Sequence, residues 1–246
     1  MSELGWRKIP WSRDVDNWAR AANKMANQAL ADPELDVWYR CERTWFAGVD
    51  CLNNDSDGNL PDETPWPESL NAFVPSLPLH KAQISAIFPG YPKAMETDSA
   101  PAARYRVKRD AAHVDGLLPI GPNRRRKLKE PHAYILGLPL TDAPANASPL
   151  VVWEGSHNVM QKAFREALLE YDPEDWADVD LTDVYHHARR RCFDNCQRRE
   201  IAANRGEAIL LHRHSLHGMA PWEAPDGPPR IIAYFRPEGS IRAWLD

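Results

Sequence analysis

The spacing of apolar residues changes along the chain. From Trp11 to Leu30, Trp18, Ala22, Met25, Ala26 and Ala29 recur at helical intervals and Asp32-Pro33 supplies a stop. This predicts a helix on the outside of the core. Residues 52–69 are polar and turn-rich, which predicts a connecting loop. From Ala82 onward the pattern shortens to QISAIF, RYRVKRDAAHVD, HAYILGLPL, PLVVW, EAILLHRH and RIIAYF, each bounded by Pro, Gly, Asp or Asn. Short β-branched, aromatic or alternating runs of this kind predict the antiparallel strands of a sandwich or barrel. Between about Asn158 and Cys196, FREALLE and LTDVYHHARRRCF have the longer period of helices. They predict a helical insert lying outside the barrel, between two of its strands.

The expected architecture is mainly β with flanking helices. A length of 246 residues fits a single domain, with residues 1–81 as a helical and loop region packed on a core spanning residues 82–237. The 22 prolines point to long, shaped loops around that scaffold. A net charge of -5 disfavours a general nucleic-acid binder. No apolar run reaches bilayer length and the N-terminus has no apolar signal core, so no membrane partner and a cytoplasmic location are expected. Cys41, Cys51, Cys192 and Cys196 lack zinc-site spacings and read as reduced thiols, although Cys192 and Cys196 can face each other across a helical turn. The oligomeric state is open.

His113-Val114-Asp115 places an imidazole and a carboxylate on the same side of an extended segment. Two histidines and one carboxylate on one triangular face suit non-haem iron(II) and leave positions open for cosubstrate and oxygen. A lone His-x-Asp is weak evidence in a chain with 9 histidines. In GEAILLHRHSLHGMAP, His212, His214 and His217 compete for the third place, His217 standing before Gly218 at a turn. Zinc held by His212, His214 and His217 is a rival that requires a sharply bent strand.

Arg230 opens PPRIIAYFRP on a face continued by Ile232, Tyr234 and Arg236. A guanidinium inside a barrel needs an anion, either a protein carboxylate or a bound one. The run Arg124, Arg125, Arg126, Lys127 and Lys129 reads as a loop, either solvated or, through Arg124 and Arg126, gripping an anionic substrate. His132 either touches the cosubstrate or a residue that holds a metal ligand, or is a packed histidine with a backbone partner.

The order AAHVDG, LGLPLTDA, PLVVWEGSH, GEAILL, His217-Gly218 and Arg230 resembles the phytanoyl-CoA dioxygenase family of 2-oxoglutarate-dependent oxygenases, over roughly Ala82 to Pro237. Glu207 departs from the family's usual aspartate, and Arg230 lies slightly farther from His217 than is typical. The resemblance implies a double-stranded β-helix core of jelly-roll, cupin-like form. It implies iron(II) on His113, Asp115 and His217, with 2-oxoglutarate gripped by Arg230 or, as the lesser candidate, Arg236. His157 is read as structural. The implied reaction couples decarboxylation of 2-oxoglutarate by O2 to hydroxylation of a small-molecule substrate. The alternatives are a cupin-type metal enzyme that uses no keto acid and a non-catalytic binding or sensor protein.

Overall fold

A computed structural model describes residues 3–246 of the chain. The elements are β1 (Trp6–Ile9), α1 (Arg13–Ala31), β2 (Tyr39–Arg40), β3 (Trp45–Gly48), β4 (Gln83–Ile87), α2 (Ala100–Lys108), β5 (Leu117–Ile120), β6 (Arg125–Leu128) and β7 (Tyr134–Pro139). There follow β8 (Leu150–Trp153), α3 (Ser156–Leu168), α4 (Thr182–Asn195), β9 (Arg198–Ile201), β10 (Ala208–His212), β11 (His217–Met219) and β12 (Arg230–Phe235). Every strand pairing is antiparallel. A large sheet runs in the order β1-β10-β7-β12-β4-β3-β2, a small one in the order β11-β8-β9, and β5 and β6 form a hairpin.

Strand alternation assigns each side chain to a layer. Ile135, Ile209, Leu211, Ile232 and Tyr234 of the large sheet meet Leu150 and Val152 of the small one, forming the interior of the jelly roll. The opposite face of the large sheet, with Leu136, Leu138, Leu210, Ala233 and Phe235, is covered by α1. The helix does this with Val15, Trp18, Ala19, Ala22, Ala26 and Ala29, and its alanines let the backbone lie close to the sheet. Trp18 is fully buried and donates its indole N–H to Gly58 O at 2.9 Å. The large-sheet strands are therefore apolar on both faces.

On the other side, Val151 and Trp153 of β8 pack under Phe164, Leu168, Tyr185 and Cys192 of α3 and α4. The helical insert thus connects β8 to β9 and lies outside the core, as its period predicts. The fold is mainly β with flanking helices around a jelly-roll core. Among the described residues no helix is long and apolar enough to cross a membrane.

Three predictions differ from the structure. RYRVKRD is not a strand: its first five residues end α2, where the Ser99 hydroxyl accepts from Ala102 N and Pro101 occupies the first turn. Proline needs no N–H there, so the cap overrides the mixed polar pattern. The basic run is not simply a loop, since Arg125–Leu128 is β6, paired with Leu117–Ile120. The region before Ala82 also contributes β1, β2 and β3 to the large sheet, beyond the helix and loops expected there.

Candidate metal centre

His113, outside any strand, faces His217, the first residue of β11, across a single reciprocal bridge. His113 N donates to His217 O at 2.8 Å, and His217 N donates to His113 O at 3.0 Å. A mutually bonded antiparallel pair directs both side chains to one side, and the two rings lie 4.7 Å apart. Asp115, two residues on from His113, completes the group. Its carboxylate lies 3.1 Å from His113 Nε2 and 3.7 Å from His217 Nε2. One donor atom from each of the three residues falls within 4.8 Å of the others.

The backbone sets the tautomers. His113 Nδ1 lies 3.0 Å from Ala111 O and His217 Nδ1 lies 2.9 Å from Ser215 O. A carbonyl can only accept, so each Nδ1 carries a proton and Nε2 is the atom each ring turns to the shared centre; although burial opposes it, the adjacent Asp115 carboxylate raises the pKa of His113. Burial holds His217 down to about 4, against the pull of Asp115. Burial would raise the pKa of Asp115, but the charge of Arg236, which donates to it, holds it well below the ordinary carboxylate range. At neutral pH the site therefore presents a carboxylate and a neutral His217, the forms a cation needs.

The loop carrying His113 and Asp115 is held from below. Arg198 Nε and a terminal guanidinium nitrogen each donate to the Asp110 carboxylate at 2.8 Å, and Asp110 is buried. Asp110 O accepts from Met219 N at 2.9 Å. Gly218 permits that approach, because a Cβ there would lie 2.0 Å from Asp110 O. Arg236 Nε donates to Asp115 at 2.5 Å, and its terminal nitrogen donates to Gln83 Oε1 at 2.7 Å. Arg198, Asp110 and Gln83 carry no motif and were not anticipated; no local pattern reveals pairings across so many residues.

The three donors stand in the wall of a cleft of about 1030 Å³, together with Trp38, Trp45, Tyr91, Arg126, His132 and Arg236. The remaining candidates are distributed as follows. His132 is buried in this wall, with Nδ1 3.1 Å from Arg236 O and Nε2 3.2 Å from the Glu130 carboxylate but outside hydrogen-bond geometry. Arg126 lines the cleft, whereas Arg124 is exposed beyond it at the β5–β6 turn with φ 50°.

Arg230 is not among the residues that line the cleft. It is buried at the start of β12, on the inward face continued by Ile232 and Tyr234, and its side chain has no hydrogen bond or ion pair with any described residue. Its neighbour across the ladder is Ile87, which packs with Tyr91 and with Met219 and Trp222. Tyr91 also has a buried hydroxyl without a hydrogen-bond partner. His212 and His214 do not join His217 in a cation-sized group. They pack with His157 and Trp244, the rings of neighbouring members 4.4–5.3 Å apart. That disposes of the geometry a His212–His214–His217 zinc site would need. His157 is likewise buried in this cluster.

No family model matches the chain. No curated protein matches it either. Among solved structures it is similar in fold to SnoK, a non-heme alpha ketoglutarate dependent carbocyclase from nogalamycin biosynthesis, with TM-score 0.50 and 14% identity over 95% of this chain and 79% of that one. The epimerase SnoN in complex with Fe3+, alpha ketoglutarate and nogalamycin RO matches at TM-score 0.48 and 15% identity, over 99% of this chain and 85% of that one. EctD from S. alaskensis with bound Fe matches at TM-score 0.48 and 14% identity, over 96% and 73%. These solved structures include non-heme iron and 2-oxoglutarate-dependent enzymes, and at such identities the likeness is one of fold.

Proposed function

We propose that the protein is an iron(II), 2-oxoglutarate-dependent oxygenase of the phytanoyl-CoA dioxygenase type that acts on a small molecule. The observation that carries this reading is the convergence of two imidazole Nε2 atoms and one ionised carboxylate in the wall of a large cleft. Two histidines and one carboxylate form the donor set that suits iron(II) while leaving coordination positions open. His113, Asp115 and His217 would hold the metal, each oriented by a partner in the chain.

Bound together, iron(II) and 2-oxoglutarate would supply an oxidant generated from O2 with loss of succinate and carbon dioxide. The chain's own part is to bind and orient. Arg230 is the residue proposed to grip the distal carboxylate of the keto acid: it is a buried guanidinium with no carboxylate of its own, a condition that costs stability unless an anion arrives. Arg236, the other candidate, is already committed to Asp115 and Gln83. Tyr91 offers a second unpartnered buried donor beside the same strand. His132, fixed through Nδ1 against Arg236 O, would keep the arginine that orients Asp115 in place. The aromatic wall of Trp38, Trp45 and Tyr91 would shed water from the reacting carbon.

The test is anaerobic addition of iron(II) and then 2-oxoglutarate, watching for the weak visible charge-transfer band of a chelated keto acid. Wild type should develop the band, and Arg230→Ala should require at least tenfold more 2-oxoglutarate. Iron binding with no band at any keto-acid concentration would favour the cupin-type alternative.

A further inference from the structure

Although the chain carries a net charge of -5, α2, the β5–β6 hairpin and α4 form a basic face that reaches the cleft at Arg106 and Arg126. Part of that charge is answered. Arg106 pairs with Asp98, Arg125 with Asp180, and Lys127 and Lys129 with Asp178. Arg109, Arg126 and Arg189 have no carboxylate partner among the described residues.

These three are ordered by stacking instead. The Arg126 guanidinium lies 5.7 Å from the Tyr185 ring, and Arg189 lies 5.0 Å from the same ring and 4.9 Å from Tyr105. Arg109 lies 4.6 Å from Phe193, whose ring is 6.3 Å from Tyr105. The result is a connected ladder of guanidinium groups and aromatic rings that runs from half-buried Arg126 and Arg189 out to exposed Arg109. A cation held over a ring keeps its in-plane N–H fork available for an anion. Little of that capacity is used: Arg126 donates to Leu117 O at 3.0 Å, and Arg189 approaches the Tyr185 hydroxyl at 3.5 Å.

The ladder begins in the cleft. Arg126 shares its wall with His113, Asp115 and Leu117, so a ligand in this cleft can meet Arg126 with one end and the metal donors with another. A solvated basic face would have mobile, separately hydrated side chains. Here half-buried Arg126 and Arg189 are pre-ordered on one buried ring, that of Tyr185. A single carboxylate is satisfied by one fork, whereas two forks ordered on one ring match a group with two or more charges and several acceptor oxygens, as phosphate has.

We propose that Arg126 and Arg189 form the binding site for a phosphate or diphosphate group on the substrate, whose apolar body lies along Trp38, Trp45 and Tyr91 toward the metal donors. The proposal rests on the cleft being the substrate site of the oxygenase reading and names the class of molecule it takes: an organic phosphate.

The test is calorimetric titration of the metal-free full chain with inorganic diphosphate, phosphate and citrate at two salt concentrations, without 2-oxoglutarate. Diphosphate should bind one per chain, more weakly at high salt. Arg126→Gln/Arg189→Gln should weaken it at least tenfold, while Arg43→Gln, at an exposed pair with Asp36, should leave it unchanged. Arg126→Lys/Arg189→Lys, which keeps charge and fold, should still lose several-fold because the planar fork is gone. Equal binding by wild type and the glutamine variant would overturn the proposal, and citrate binding as tightly as diphosphate would overturn the phosphate assignment. The readout needs no iron. Diphosphate bound by a chain that develops no iron–keto acid band would retain this anion site and reject the oxygenase reading.

Discussion

Replacing Gly218 with alanine tests how the metal donors are assembled. The added methyl would stand 2.0 Å from Asp110 O and 3.0 Å from the Asp110 carbonyl carbon, both backbone atoms. Ordinary contact between such atoms is roughly 3.5 Å, so the two segments must separate by about 1 Å or more. Three backbone hydrogen bonds cross that line: Met219 N to Asp110 O at 2.9 Å and the reciprocal pair between His113 and His217 at 2.8 and 3.0 Å. At about 0.5–1.5 kcal/mol each, their weakening gives a loss of about 2–4 kcal/mol. Metal sites tolerate ligand displacements of only about 0.2 Å, so affinity should fall with the same shift. The assays are urea denaturation of the metal-free chain and anaerobic titration with cobalt(II), with Gly121→Ala as the control. Gly121, unlike Gly218, has positive φ, and the space around its Cβ position is open, so its substitution should cost only backbone strain of about 1 kcal/mol and leave metal binding intact. A Gly218→Ala chain within about 0.5 kcal/mol of wild type and with unchanged cobalt affinity would refute this account of how the loop and β11 are registered.

Other perturbations have defined outcomes. Burial lowers the pKa of His157, His212 and His214, that of His212 to about 3, and the rings of His157 and His214 have buried nitrogens without partners. The unfolded chain takes up these protons near pH 6.5, so stability should be full above that pH and fall by about 1.4 kcal/mol per pH unit per histidine as acid is added, until the folded-state pKa is reached. Denaturant midpoints at pH 7.5 and 5 check this, and a flat or rising profile would contradict it. Asp110→Asn, which breaks the buried side of the Arg198 pair, should cost about 1–3 kcal/mol and weaken cobalt binding; an unchanged melting temperature would count against the clamp. Trp18→Ala should cost about 3–5 kcal/mol by calorimetric or chemical unfolding, since Trp18 anchors α1 to the large sheet with no exposed surface; a loss below about 1 kcal/mol would mean that α1 docks without it.

Periodicity revealed elements whose burial is repetitive. The alanine face of α1 and the alternation in β4, β7, β10 and β12 are regular because each packs against one layer on each side. β1, β2 and β3 were missed because they are four residues or fewer and lie toward the edges of the large sheet. The two-residue spacing of His113 and Asp115 was legible as shared direction, although the segment forms only one bridge and no strand. Choosing His217 over His212 and His214 required the order of motifs, since all three histidines are wholly or largely buried. The different surroundings of Arg230, at the start of β12, and Arg236, just past its end, could not be read at all. Arg236 meets Asp115 and Gln83, and Arg230 meets no carboxylate, because of which loop happens to cross each end of β12. That is long-range geometry with no local signature.

The central claim is that His113, Asp115 and His217 hold one iron(II). Anaerobic titration of the metal-free chain with iron(II), beside His113→Ala, Asp115→Ala and His217→Ala, tests it most directly when each variant is also shown to unfold cooperatively. The account predicts one ion per wild-type chain and a loss of affinity of roughly 100-fold or more in every variant. A folded variant of any of the three that binds iron as tightly as wild type would contradict it.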